Sequence, residues 1–311
     1  MKKLILLCSA CFFFIQCNKN DIASGEIRLL KTKYVDAGNG DVYYFSFEYD
    51  QAGRIIRLLS SKNNETPLTI ATVSYNSNKV TILPDPVHNA GFDYIDEIEY
   101  TVDANNKPLQ RIQNVYREFK PLVSNLQKDF ETDTANYEYD AAGLLVKVKG
   151  SSRDSTWFDP GTLIQTYTYN RQNTSLYTNS GSNLGKIAKT TQQEHRFICG
   201  AVDILTKRNI EESYMYEYNH AYTNKTDFTN ALILTEFSVL YDNAYPLNKN
   251  YKNVPDKISY SRITRDAATG AIVESDNNIT NVALGFNNSK FITFINFGIT
   301  PAGKKEFIYN R

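Results

Sequence analysis

One segment of this sequence occurs twice. Phe47-Glu48-Tyr49-Asp50-Gln51-Ala52-Gly53-Arg54-Ile55-Ile56-Arg57-Leu58 returns as Tyr137-Glu138-Tyr139-Asp140-Ala141-Ala142-Gly143-Leu144-Leu145-Val146-Lys147-Val148. The shared core is aromatic-Glu-Tyr-Asp-x-Ala-Gly, followed by an apolar run with a basic residue at the same place. Such a unit reads as strand, turn, strand. The Asp side chain caps a type I turn, and Gly takes the left-handed position of the bulge that follows. Asp50, Gly53, Asp140 and Gly143 are therefore the turn-defining residues. Weaker copies occur at Val102–Leu109, which puts Asn106 where a positive φ is needed, at Tyr75–Val80, which is shortened, and at Arg265–Ile272, which is one residue longer.

The flanking segments alternate as strands do. Tyr43, Phe45, Phe47 and Tyr49 share one face, as do Ile98, Tyr100 and Val102, then Tyr214, Tyr216 and Tyr218. Composition agrees, with 22 Tyr and 17 Phe against a single Trp, because aromatic and β-branched residues favour the pleated sheet. Only at Ala231–Tyr241 does a short helix compete with a strand. The expected fold is all-β: one elongated domain over residues 31–311, a long antiparallel meander of hairpins curling into a partly closed barrel or wrapped sheet.

The first thirty residues are of another kind. Lys2 and Lys3 precede a continuous apolar run from Leu4 to Ile15, and polarity returns abruptly at Gln16-Cys17-Asn18-Lys19. As a helix the run would span about 18 Å, short of the roughly 30 Å hydrocarbon core. It reads as the h-region of an export signal over residues 1–16, followed by a tether over 17–30. The boundary resembles a lipobox, in which the cysteine receives diacylglycerol. Gln16 departs from the usual small residue before it. Cys11, after Ser9 and Ala10, fits that rule better but leaves an h-region of about seven residues, so Cys17 is favoured as the lipidation site. With the signal removed, Cys199 is the sole other cysteine, and no internal disulfide can form. Cys199 reads as a small buried apolar residue.

The hairpin motif resembles the Tyr-Asp repeats of Rhs-type proteins. It resembles more closely a group of Bacteroidota lipoproteins described as porin-like in fold, which couple a lipobox to Tyr-Asp-x-x-Gly hairpins. The copies cover about half of the chain, and the roughly 90-residue interval between the two best departs from the regular period of a true Rhs shell. The resemblance implies hairpin geometry and an outer-membrane lipoprotein, on the periplasmic face or the cell surface, and it is silent on activity. Membrane insertion of the strands is not expected, because faces that should point outward carry Glu97 and Glu99, or Lys147 and Lys149, where a membrane barrel needs an apolar band.

Chemistry-bearing motifs are sparse. Lys plus Arg number 34, as do Asp plus Glu, and without a basic run there is no electrostatic footprint for nucleic acid. His88, His195 and His220 lie far apart and lack metal-ligand spacing, so no metal and no cofactor is expected. Asp36-Ala37-Gly38-Asn39-Gly40-Asp41 lacks the terminal acid of a calcium loop and reads as a hairpin loop. Trp157 and Phe158, in the turn-rich segment Arg153–Gly161, either stack on a sugar ring or plug one end of the sheet. Asp133-Thr134-Ala135 and Asp154-Ser155-Thr156 resemble a Bacteroidota O-glycosylation sequon; glycans on Thr134 and Ser155 would require exposure, which favours loops.

The expected function is non-catalytic binding of a glycan or an envelope protein, with an assembly component or a polysaccharide hydrolase as alternatives. The anchor is tested by labelled palmitate. Incorporation is expected into the wild type and into Cys11→Ala but not into Cys17→Ala; a loss confined to Cys11→Ala would move the anchor.

Overall fold

The computed structural model describes residues 28–35, 39–85, 92–119, 126–159, 163–181, 183–218, 255–286, 292–297 and 304–309. Within them the hairpins join into one sheet. Its strands are β1 (Leu29–Val35), β2 (Val42–Tyr49), β3 (Ile55–Lys62), β4 (Leu68–Asn76), β5 (Lys79–Pro84), β6 (Phe92–Val102), β7 (Pro108–Phe119) and β8 (Leu126–Tyr139). They continue as β9 (Leu145–Asp159), β10 (Gln165–Ser180), β11 (Asn183–Cys199), β12 (Val202–Glu217), β13 (Lys257–Asp266), β14 (Ile272–Phe286), β15 (Ile292–Phe297) and β16 (Lys304–Tyr309). Each strand pairs antiparallel with its neighbours in sequence, and β16 returns to β1 through Thr32↔Phe307 and Lys33↔Glu306. The meander therefore closes completely into a barrel of sixteen strands.

Register assigns every side chain to a face. Phe47 stands opposite Leu58 and Leu58 opposite Ala71; further round, Val73 faces Ile82 and Ile82 faces Ile98. All of these are buried, and with Leu29, Ile55, Leu184, Ile187, Tyr216, Ile258, Val282 and Phe307 they form one core contributed from around the barrel. The core is thus inside, and the opposite parity points out. Burying one such Leu or Ile contributes about 1.5–3 kcal/mol.

The core lies at the end of the barrel that carries the turns of Asp50, Asp103 and Asp140, opposite the end of the Asp266 turn. In the first turn the Arg54 and Gly53 amides donate to the Asp50 side chain (2.9 Å) and carbonyl (3.0 Å). In the second, the Leu144 and Gly143 amides do the same to Asp140 at 2.8 and 2.9 Å. Asp103 repeats the geometry with the Lys107 amide at 2.9 Å and Asn106 at φ 60°. Gly53 and Gly143 have φ 79° and 77°, a region that costs a residue with a Cβ about 1–2 kcal/mol. At Gly53 a Cβ would also collide with the guanidinium of Arg28, which is buried beside the Tyr49 ring.

Four tyrosines at strand ends have a task of their own. Tyr75 donates its hydroxyl to the Ile55 carbonyl (2.9 Å), Tyr139 to Pro108 (2.9 Å) and Tyr218 to Leu184 (2.7 Å), and Tyr49 does the same to Leu29. In each case the end of one strand is tied to the start of the strand before it, at the end where no turn connects them. Between β9 and β10 the Asn179 amide stands in, donating to the Leu145 carbonyl at 3.5 Å. Turns and side-chain ties thus alternate from β1 to β5 and again from β6 to β12.

The walls differ in height. β8–β12 run 14 to 17 residues, against 6 to 9 for β1–β5 and 6 each for β15 and β16. At about 3.3 Å per residue this is roughly 45–55 Å against roughly 20–30 Å. One side of the barrel therefore rises well above the apolar core. Tyr139→Phe leaves the Pro108 carbonyl without its donor and is expected to cost about 1–3 kcal/mol, read as a lowered urea midpoint at unchanged slope.

Candidate functional site

The two faces of the tall wall, β8–β12, can be read from register. Outward stand Lys128, Phe130, Thr132, Thr134, Asn136 and Glu138 of β8, then Lys147, Lys149, Ser151, Arg153, Ser155 and Trp157 of β9, with Thr166, Thr168, Asn170, Gln172, Thr174 and Leu176 of β10 beside them. Outward pairs such as Lys147–Glu138 (3.3 Å), Lys207–Glu194 (2.8 Å) and Arg196–Asp203 (2.6 Å) link neighbouring strands. Each is worth little in water, about 0–1 kcal/mol, yet an Arg or Lys facing lipid at mid-membrane would cost about 2–4 kcal/mol.

The inner face above the core is where chemistry-bearing side chains converge. In one row Asp96, Val115, Glu131, Asp154, Tyr169, His195 and Thr206 are successive cross-strand partners from β6 to β12. The row below it holds Gln113, Asp133, Ser152, Arg171, Gln193 and Arg208. The row above brings Asp129, Thr156, Tyr167, Phe197 and Ile204 together.

Polar contacts fix this wall. Arg111 donates to Asp133 at 2.9 Å and to Gln113 at 2.6 Å, and Gln113 donates to Asp96 at 2.9 Å. The Tyr169 hydroxyl accepts from Arg171 (3.2 Å) and from the Gln193 amide, while Tyr167 donates to Gln165 (3.0 Å). The rings form a comb: Tyr167 lies 4.8 Å from Phe197, and His195 stacks 6.4 Å from Tyr167 and meets Tyr169 edge-on at 6.3 Å. Lower down, Lys189 pairs with Glu212 at 2.8 Å and Tyr260 donates to the same carboxylate at 3.2 Å. Burial pushes Glu212 up, but the bonds from Lys189 and Tyr260 outweigh it and hold the carboxyl below its ordinary value. Burial and the Glu212 charge push the Tyr260 phenol up.

Several expectations need correcting. Arg153–Asp159 is not a loop, because β9 runs through it. Adjacent residues of a strand point to opposite faces, so Trp157 faces out between Lys128 and Thr166, and Phe158 faces in between Gln127 and Gln165. They cannot act together as one stacking pair. Thr134 and Ser155 also lie in strands, both outward, and the Thr134 hydroxyl is 2.8 Å from that of Ser151. Cys199 ends β11, half-buried and facing in opposite Gln165. At the loop before β2, Asp41 is ion-paired with Lys62 at 2.7 Å. Cys17, His88, His220 and Ala231–Tyr241 lie outside the described residues. Among the described residues no three His, Cys, Asp or Glu side chains are grouped to hold a metal. The inner wall was missed because Asp129-x-Glu131-x-Asp133 and Tyr167-x-Tyr169-x-Arg171 are signals only once register brings them together.

Glu212 gives the site a pH signature. Its folded value is lowered from 4.5, so its contribution to stability is present above that value and is lost as pH falls through the lowered one. Glu212→Gln is expected to shrink the drop in melting temperature between about pH 5 and about pH 3, measured against the wild type by calorimetry.

No family model and no curated protein sequence matches the chain. Among solved structures it is similar to a porin-like protein from Bacteroides vulgatus, with 12% identity and a TM-score of 0.50 over 92% of this chain and 99% of that one. It also aligns with a porin-like protein from Bacteroides uniformis, at 10% identity and a TM-score of 0.44 over 91% and 95% of the two chains. At such identities the likeness is one of fold, and by that measure this closed antiparallel barrel is a porin-like fold.

Proposed function

We propose that this chain is a lipid-tethered protein of the cell envelope whose barrel stands in water and binds a glycan, without catalysis, on the inner face of its tall wall. The observation that carries the reading is the division of polarity between the two faces. Outward positions of β8–β12 are mostly Lys, Arg, Glu, Ser, Thr, Asn and Gln, with Phe130, Trp157, Leu176, Ile198, Leu205 and Met215 interspersed among them, so the wall has no continuous apolar belt with which to enter a bilayer. The inner face combines the Tyr167, Tyr169, His195 and Phe197 rings with Gln165, Gln193, Asp154 and Arg171. Rings offer an apolar surface to the C–H face of a sugar, and amides and charged groups beside them bond its hydroxyls. The phenols of Tyr167 and Tyr169 are already held, so little side-chain freedom is lost on binding.

A hydrolase is the second reading, favoured by Glu131 standing directly across from Asp154, since paired carboxylates are what glycoside cleavage needs. The test takes the Cys17→Ala chain, which should purify without detergent, onto a glycan array. Binding is expected, and Tyr169→Ala should weaken it about tenfold. Release of reducing ends, abolished by Glu131→Gln, would favour the hydrolase instead. No glycan bound, with an envelope protein captured by crosslinking, would replace the ligand by a protein partner.

A further inference from the structure

Charge is divided across the inner face of the tall wall. The row that runs Gln113, Asp133, Ser152, Arg171, Gln193 and Arg208 has its carboxylate on β8 and its guanidiniums on β10 and β12. In the row above, Asp96, Glu131 and Asp154 stand on β6, β8 and β9. Below, Arg111 is a cation on the acidic side, and it is bound to Asp133 at 2.9 Å. Among these described side chains, negative charge gathers toward β6 and positive charge toward β12.

Other arginines of the barrel are tied to carboxylates: Arg54 to Asp50, Arg57 to Glu48 and Arg196 to Asp203, at 2.7, 2.8 and 2.6 Å. Arg171 and Arg208 form no ion pair among the described residues, and both are exposed. Arg171 donates to the Tyr169 hydroxyl at 3.2 Å, and its guanidinium sits 5.1 Å from the centre of that ring. That contact steadies the side chain and leaves its other N–H groups for a ligand. Opposite Arg208 stands Asp266, whose carboxylate is turned to its own loop. The Ala268 and Thr269 amides donate to it at 3.1 and 2.8 Å, and the Thr269 hydroxyl at 2.8 Å. Arg171 and Arg208 both stand opposite Gln193 in register, so they are two strands apart, about 10 Å. Tyr169 and His195 lie two residues further up β10 and β11, about 7 Å along the strands.

We propose that the glycan bound by this wall is acidic, with a carboxylate or sulfate group held by Arg171 and Arg208 while its sugar ring lies on Tyr169 and His195. The inference rests on the glycan reading above and adds the charge of the ligand. A guanidinium presents a rigid fork of N–H donors that matches two oxygens of an anion, and such charge-assisted bonds are about twice as strong as neutral ones. Both side chains are long enough to reach an anion over Gln193, whose amide is itself held by the Tyr169 hydroxyl. The carboxylates toward β6 repel the same ligand. Attraction on one side and repulsion on the other together set its place on β10–β12.

The test sets matched pairs before the Cys17→Ala chain on one array. Galacturonan, glucuronan and alginate oligomers stand beside their carboxyl-reduced forms, and sulfated galactan and dextran oligomers beside their unsulfated forms. At least one acidic member is expected to bind about a hundredfold tighter than its neutral counterpart, and the preference should shrink as salt rises. Whether the carboxylate or the sulfate pairs show it identifies the group. Arg171→Gln and Arg208→Gln should each remove about tenfold of that preference, with an unchanged melting temperature, whereas Tyr169→Ala should weaken both members of a pair alike. Acidic and neutral members bound equally, or a preference that survives both arginine variants, would overturn the inference and leave the glycan reading standing. An array on which nothing binds, acidic or neutral, would overturn both.

Discussion

The structure depends on a single choice of parity. Sixteen strands closed on themselves enclose far more space than one layer of side chains would fill, and the chain meets this by concentrating its large apolar residues on the inward parity near the turns. Leu29, Ile55, Leu58, Ile82 and Leu184 are fully buried there. A slip of one residue in any strand would exchange its faces, setting Lys and Glu against the core and Phe and Ile in water. The turn chemistry guards against that slip. Each Asp-x-x-Gly turn fixes the register of one hairpin, and each tyrosine tie fixes it against the previous one. What looks in the sequence like one repeated motif is two devices in one: the aspartate joins a strand to the next, and the tyrosine joins it to the last.

The same parity rule sets this barrel beside one that lives in lipid. There the apolar residues face out and the lumen is wet. Here the lower lumen is apolar, and the outer face of the tall wall mixes ion pairs with exposed Phe130, Leu176 and Met215. Function on a shared architecture resides in its sites, and on this chain the candidate site follows from wall height. Above the core, from β6 to β13, the inward parity changes from Leu and Ile to Asp, Arg, Gln and Tyr.

Much of this was legible in the sequence. Asp50, Gly53, Asp140 and Gly143 announce their turns locally, and the alternation of Tyr43, Phe45, Phe47 and Tyr49 announces a strand with one buried face. Closure was not legible, because Lys33 and Glu306 meet across 273 residues with no local mark. Trp157 and Phe158 were read as a loop for a physical reason. On β9 both faces are polar above the core, so the apolar alternation that reveals a strand is absent there, and Pro160-Gly161 lent its turn character to the residues before it. The inner wall was invisible for a related reason. Its members are scattered over seven strands, and only register places Glu131 across from Asp154 or Tyr169 across from His195.

The seam between the first and last strands carries a consequence for how the molecule is made. Every other pairing joins neighbours in the chain, so the meander can zip forward one hairpin at a time, with short loops to close except between Glu217 and Lys257. Leu29 has to wait for Tyr309. Until the final strand arrives, β1 holds out an unpaired flank, and for a chain emerging amino-terminus first that wait spans almost its entire synthesis. Any shortening that removes β16 leaves the flanks of β1 and β15 unpaired where β16 now joins them, and the penalty would appear as aggregation of the nascent product before any loss of binding.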